Sequence, residues 1–538
     1  MKNQKLELTW IGKDKQPKVE PRILIEDKEK SYGDENTENM LIHGDNLLAL
    51  KALEDKFTNK IKCIYIDPPY NTGSAFEHYD DNLEHSIWLN LMKSRLEIMK
   101  RLLSDNGLIW IQIDDGEMAY LKVLCDEIFG RENFINTISI QVSPPNGVKM
   151  NHAEKKILKE KEYILVFCKN RDFIRFKPEY IKAKSWDSHY NKFIDGNLEN
   201  ISTCKVISMT DKLKELKLNP DINNEEFNKW VYENKNRIFQ PVGLAKIKNN
   251  PKYNKDYIVP IEEMPGYLSY KGRQVQLVEN SIYNTDDGNV LSRMVCDFWT
   301  DIAFNNLFQE GNGDFKAGKK PEKLLKRIIN MSSEEGDYVM DSFLGSGTTC
   351  AVAHKMNRKW IGIELEEHCY THCIPRINDV IDNKDPNGIT SLVDWQGGGG
   401  YKFYELAPSL LVKDKFDNWV ISENYNGELL TRAICKQEKF DYSPEDNYYW
   451  KQGKSSENDY IYVTTNYISL EYLQAIREEM QSNESLLICC KSYQEECKDK
   501  YDNITIKKIP QSILNNCEYG RDDYSLNVEE VLEVKEDE

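Results

Sequence analysis

The stretch Ile61-Lys62-Cys63-Ile64-Tyr65-Ile66-Asp67-Pro68-Pro69-Tyr70 decides the fold. Its first six residues are a short, almost continuous apolar run rich in β-branched side chains, the pattern of a strand buried on both faces. The run stops at two prolines, which cannot donate to a β-ladder. A buried strand therefore ends abruptly in a stiffened turn carrying one carboxylate and one aromatic ring.

Working outward, the pattern repeats. Met40-Leu41-Ile42 reads as a strand entering a turn at Gly44-Asp45, and Leu47 to Leu53 has helical spacing. His85 to Leu103 is an amphipathic helix with Ile87, Leu91, Leu96 and Met99 among its apolar positions. Gly107 ends it, Leu108 to Ile113 is a strand, and Met118 to Phe129 a helix. Further on, Pro321 to Ile329 reads as a helix, Tyr338 to Met340 as a strand, Thr348 to Met356 as a helix and Trp360 to Ile363 as a strand. Strands alternating with helices imply an α/β fold with a doubly wound, mostly parallel sheet.

The pattern lapses between 146 and 290, which is polar, aromatic and rich in Asn and Lys, and is read as an inserted domain. That gives a polar N-terminal arm over 1–37, one α/β half over 38–145, the insert over 146–290, a second α/β half over 291–404 and a small α/β domain over 405–538, with Gly397–Gly400 marking the last boundary. The net charge of −18 is unevenly spread: residues 146–275 hold 25 Lys plus Arg against 17 Asp plus Glu, and residues 405–538 hold 15 against 28. A basic middle suits phosphates, and an acidic tail stays away from them. With 40% hydrophobic residues the chain can build sizeable cores. It has no apolar run long enough for a membrane span, and the charged N-terminus is unlike a secretory signal. The thirteen scattered cysteines fit reduced thiols in a cytoplasm.

Two motifs carry chemistry. Asp341-Ser342-Phe343-Leu344-Gly345-Ser346-Gly347-Thr348-Thr349 lies between a strand and a helix, where glycines let the backbone turn sharply and approach a ligand. Nineteen residues after Gly345, Glu364 ends the next strand, a place from which a carboxylate can hold both hydroxyls of a ribose. No Gly-Lys-Thr or Gly-Lys-Ser follows, so a nucleoside cofactor is favoured over a phosphate-binding loop. In Asp67-Pro68-Pro69-Tyr70, the ring can stack on a base flipped out of duplex DNA. The Asp67 carboxylate and the Pro68 carbonyl can each accept one hydrogen of the base's exocyclic amine, while Pro69 keeps the turn rigid. The alternative for each motif is a merely structural turn. His368, Cys369, His372 and Cys373 pair at i, i+4, but only two share a helical face, so an ordinary packed helix is preferred to a metal site. In the insert, Arg171, Arg175, Lys182, Lys184, Trp186, His189 and Tyr190 mix basic and aromatic side chains that can meet DNA.

Taken in order, these motifs resemble the amino-methyltransferases of DNA in their circularly permuted beta arrangement. Leu41-Ile42-His43-Gly44-Asp45-Asn46-Leu47 resembles a motif whose acid, here Asp45, contacts the cofactor's adenine. Lys320-Pro321-Glu322-Lys323-Leu324 resembles one that lines the cofactor's methionine end, and Ile111-Gln112-Ile113-Asp114-Asp115 resembles a later strand of the catalytic half. Asn71-Thr72-Gly73, the block Trp88 to Leu103, and Gly397-Gly398-Gly399-Gly400-Tyr401-Lys402-Phe403 are most similar to modification subunits of type III restriction-modification systems. The resemblance implies S-adenosylmethionine as cofactor and double-stranded DNA as substrate. It also implies a homodimer and a separate helicase-nuclease partner. Asp in the tetrapeptide points to adenine N6, with cytosine N4 and an orphan enzyme as alternatives. A DNA-binding module without catalysis and a nucleotide-dependent enzyme are the readings from other classes.

Overall fold

The computed structural model describes residues 7–14, 18–70, 85–142, 157–305, 307–312, 315, 318–513 and 519. The Asn71-Thr72-Gly73 extension, the first residues of the 146–290 segment and the last residues of the acidic tail lie outside them. By internal contacts, residues 1–176 with 297–538 form one unit and Lys177–Cys296 another.

The first unit is organised by a ten-stranded sheet. Its order is Leu24–Gly33, Gly400–Leu406, Met40–His43, Lys359–Glu364, Tyr338–Asp341, Ile61–Ile66, Leu103–Ile113, Lys161–Cys168, Phe134–Gln141 and Phe298–Trp299. The six strands from Gly400–Leu406 to Leu103–Ile113 are mutually parallel. Their side chains are apolar on both faces because helices cover both. Ile61, Cys63, Ile64 and Ile66 are fully buried, as are Ile109 and Ile111 beside them. Helix His85–Leu102 buries Trp88, Leu91, Met92, Leu96 and Met99 at helical spacing. This is the doubly wound, mostly parallel α/β fold read from the sequence.

The sequence boundaries differ from the tertiary ones at three places. The strand Leu24–Gly33 lies within the stretch taken as an arm. It closes one sheet edge by antiparallel pairing with Gly400–Leu406, so the last glycine of the Gly397–Gly400 run is already a strand residue. Lys161–Cys168 lies within the 146–290 segment, yet it pairs antiparallel with Leu103–Ile113 and Phe134–Gln141 as a strand of the main sheet. The acidic C-terminal part has a five-stranded sheet of its own with two apolar cores. It is nevertheless pinned to the main sheet's edge, where Glu20 accepts from Ser409 Oγ at 2.7 Å and Leu410 N at 2.8 Å.

The unit Lys177–Cys296 is built from antiparallel pairs in a six-stranded and a three-stranded sheet. Trp186 and Tyr190, read as possible base contacts, pack into its core. Tyr190 is buried, and Trp186 meets Phe227 edge-on at 5.2 Å. His189 is exposed beside Asp187. The unit holds 18 Lys plus Arg against 16 Asp plus Glu, so it is close to neutral as a whole. Arg171 and Arg175 belong to the first unit, where Arg171 donates to Phe134 O at 2.5 Å. Among the described residues no helix is long and apolar enough to cross a membrane.

A fully buried charge network braces the helix Glu322–Ser332 against the helix Thr348–Lys355. Lys355 Nζ lies 2.9 Å from Glu322 and 2.8 Å from Asp385, and Arg376 lies 2.9 Å from Glu322. Removing one partner strands opposite charges in a dry interior, which costs about 3–5 kcal/mol. Lys355→Met should therefore lower the unfolding free energy by that amount in urea titrations. A loss below about 1 kcal/mol would mean that water reaches and relieves the stranded carboxylates.

Candidate active site at the carboxyl ends of the strands

Parallel pairing sets Tyr338–Asp341 directly beside Ile61–Ile66, with Val339 opposite Cys63 and Met340 opposite Ile64. The two motifs therefore emerge at the same sheet edge, and Asp67 and Asp341 leave neighbouring strands. Crevices at this edge are where open α/β sheets bind ligands.

The Asp67 turn is held from several sides. Trp88 Nε1 donates to Pro69 O at 2.7 Å, so the large helix fixes the proline turn. Pro68 and Pro69 are buried. Tyr70 Oη donates to Asp67 Oδ1 at 2.5 Å, and Lys320 Nζ meets Asp67 Oδ2 at 2.5 Å. Lys320 also stands 5.4 Å from the centre of the Tyr70 ring. The strand Lys161–Cys168 contributes Glu162, whose Oε2 lies 3.2 Å from Tyr70 Oη and accepts from Gln112 Nε2 at 2.7 Å. Sequence reasoning missed Glu162, because it falls within the segment read as an insert. The signal that could have found it is the apolar run Tyr163–Cys168 that follows.

Carboxylates outnumber cations here. Burial pushes the Asp67 carboxyl above its ordinary range in spite of Lys320, and Glu162 adds to the rise. Burial works against the Lys320 ammonium too, but Asp67 and Glu162 outweigh it and hold the lysine charged. Asp341 is pushed up to about 7, by burial first; the hydrogen bonds from Thr349 and Phe343 oppose this and the charge of Asp67 adds to it.

The glycine loop is folded on these acids. Asp341 accepts from Phe343 N at 2.9 Å and from Thr349 Oγ1 at 2.5 Å. Gly345 and Gly347 have φ of +57° and +80°, which favour glycine. Glu364 accepts from Gly345 N at 2.6 Å and from Leu365 N at 2.8 Å. Its carboxylate thus shapes the loop as well as facing it, and His368 Nε2 lies 3.1 Å from it. Ser346 Oγ and Thr348 Oγ1 lie 3.1 Å apart, and Arg376 donates to Thr348 at 2.7 Å. Asp45 caps the helix Asn46–Phe57 through Leu48 N at 3.0 Å and pairs with Arg95 at 3.2 Å. Asn46 Nδ2 donates to Ser342 O at 2.8 Å, which ties that helix to the loop. Pro321 is buried and precedes the helix Glu322–Ser332. Cys373 donates to Gly345 O at 3.1 Å, so this cysteine supports the loop. No group of three or more metal-ligating side chains occurs among the described residues.

A family model described as a DNA methylase matches residues 61–374. The Haemophilus influenzae protein named "Probable type III restriction-modification enzyme HindVI Mod subunit" is 39% identical over 411 residues, which are 69% of this chain and 54% of that protein. This chain thus spans about half the length of that relative. The type III restriction-modification enzyme EcoP15I Mod subunit of Escherichia coli is 26% identical over 527 residues, 79% of this chain and 78% of that one. Among solved structures, a complex of M1.HpyAVI with SAM is 14% identical with a TM-score of 0.31, covering 63% of this chain and 99% of that one.

The elevated Asp341 makes a pH prediction. Its folded pKa lies above the unfolded value, so the folded state keeps a proton that the unfolded chain gives up. That contribution to stability is complete below about 4 and is lost as pH rises through about 7. Asp341→Asn has a fixed hydrogen-bonding cost but no such slope. Its stability relative to the parent should improve steadily between pH 5 and 8 in thermal melts. A pH-independent difference would mean that Asp341 is ionised throughout.

Proposed function

This chain belongs to the DNA methylase family, and from that we propose that it transfers a methyl group from S-adenosylmethionine to adenine N6 in double-stranded DNA after flipping the base. The observation that carries the reading is the acid-rich cluster of Asp67, Tyr70, Lys320 and Asp341 at one end of two paired strands.

The residues fit the cofactor on three counts. Ser342 Oγ is buried without a hydrogen-bond partner among the described residues, at the start of the glycine loop. A Cβ on Gly345 would meet no atom within 4 Å, so the loop's face is open to a ligand. The surplus of carboxylates suits a cation and disfavours a polyphosphate. The Asp341–Thr349 loop, including Phe343, Gly345, Ser346, Gly347 and Thr348, would cradle it, with Glu364, Asp45 and the Lys320-Pro321 pair around it. When bound, it supplies a methyl group activated by a positively charged sulfur.

The chain's own contribution is orientation. Asp67 and the Pro68 carbonyl would accept the two amine hydrogens and turn the nitrogen's lone pair out of the ring's conjugation. Tyr70 would stack on the base. Lys320 and the Trp88–Pro69 bond hold these acceptors before substrate arrives, so little reorganisation remains at the moment of reaction. Target recognition is assigned to the 146–290 segment, most of which lies in the compact unit Lys177–Cys296. The names of the two Mod relatives support a type III-like modification subunit; a cytoplasmic homodimer with a separate helicase-nuclease partner belongs to the same proposal.

Asp67→Ala should abolish transfer while duplex DNA and cofactor still bind. Tyr70→Ala should cripple it by removing a stacking face worth about 1–3 kcal/mol, and Tyr70→Phe should retain much more activity. The assay is incorporation of tritiated methyl into DNA from a methylation-free host, followed by nucleoside analysis. Label in N4-methylcytosine would move the assignment to cytosine, and wild-type rates in both alanine variants would end the proposal.

Glu364→Ala should weaken cofactor binding by roughly 2 kcal/mol, the order of lost charged hydrogen bonds. The loss includes the loop contacts to Gly345 and Leu365 as well as any bond to the ribose. Unaltered calorimetric affinity in a folded variant would remove Glu364 from the cofactor site.

A further inference from the structure

Asp67 has no idle oxygen in this structure: Oδ2 faces Lys320, and Oδ1 receives the Tyr70 hydroxyl at 2.5 Å. A bond this short to a carboxylate is strong, and it competes with any other donor for the same oxygen. Under the proposed reading, the flipped base's amine is such a donor. A phenol has one hydrogen, so Tyr70 can give it to Asp67 or to another acceptor but not to both. The second acceptor is in place, with Glu162 Oε2 3.2 Å from Tyr70 Oη.

Glu162 is itself well anchored. It stands on the strand Lys161–Cys168, and Gln112 on the antiparallel neighbour donates to the same oxygen at 2.7 Å. Gln112 is fully buried and accepts from the Tyr65 hydroxyl at 2.7 Å. Lys159 lies 3.7 Å from the other Glu162 oxygen and 5.8 Å from the Tyr70 ring centre. Three strands thus fix a carboxylate beside the catalytic tyrosine.

We propose that Glu162 is a positioning residue: it takes the Tyr70 hydroxyl hydrogen when the substrate amine arrives, and so returns Asp67 Oδ1 to the base. No covalent bond changes in this step; one O–H turns from one carboxylate oxygen to another. The inference rests on the methyl-transfer reading and goes beyond it by giving the Tyr70 hydroxyl and Glu162 a joint task.

A double-mutant cycle tests it, because two groups acting through one hydrogen bond are not additive. Glu162→Ala, Glu162→Gln, Tyr70→Phe and the combinations are assayed for tritium transfer to unmethylated genomic DNA. Glu162→Ala should lower kcat about tenfold, the order of one charged hydrogen bond, with KM for DNA and cofactor affinity nearly unchanged. Glu162→Gln, which keeps an acceptor oxygen, should recover most of the loss. In the Tyr70→Phe background, where no hydroxyl needs redirecting, Glu162→Ala should change kcat less than about twofold. An equal loss in both backgrounds, a loss confined to KM, or no loss would overturn the proposal. Failure of the parent reading would show separately, as no labelled N6-methyladenine from the wild type, and would take this inference with it.

Discussion

The parallel pairing of Tyr338–Asp341 with Ile61–Ile66 is the constraint on which the rest of the site depends. It joins parts of the chain nearly three hundred residues apart and sets two carboxylates side by side where both strands end. Such a pairing is held by its own ladder of hydrogen bonds and by apolar side chains buried on both faces. Burying carboxylates at its end is an expense, visible in Asp341 being pushed up to about 7 by burial first, with the charge of Asp67 adding to the rise. Lys320 offsets it at Asp67, from a position just before the helix that leads back into the Tyr338 strand.

Much of the surrounding structure serves to keep that edge dry and rigid. Trp88 reaches from its helix to the Pro69 carbonyl, and Arg95 on the same helix pairs with Asp45. Asn46, beside Asp45, holds the carbonyl of Ser342. One helix thus links the proline turn and the Asp45 cap, and through Asn46 the glycine loop. The buried Glu322–Lys355–Asp385–Arg376 network does the same on the other side of the loop, with Arg376 reaching Thr348. Preorganisation of this kind is what the proposed methyl transfer, direct and without a covalent enzyme intermediate, would require.

The α/β class was legible in the residues, because strand and helix periodicities are local. Ile61–Ile66, Met118–Phe129 and Lys359–Glu364 form at or within a residue of where the apolar patterns put them. The two motifs were legible too, since proline and glycine act on the backbone where they stand. The edges of the sheet were not. Leu24–Gly33 is half polar because one side of an edge strand faces water, and it reads like an arm. Lys161–Cys168 follows a long polar stretch and gains its meaning only from its antiparallel neighbours.

By itself the sequence determined the strands and turns that carry Asp67 and Gly345, and with them the chemistry of acceptor, ring and open loop. That the two would meet was implied by the resemblance to the permuted beta arrangement. What only the tertiary structure decided is who stands around them. Glu162 comes to Tyr70 across two antiparallel strands, Lys320 comes to Asp67 from a loop, and Trp186 and Tyr190 turn inward to a core instead of outward to DNA. Those placements depend on register and packing between segments distant in sequence, and no local pattern encodes a register with a strand that has yet to be found.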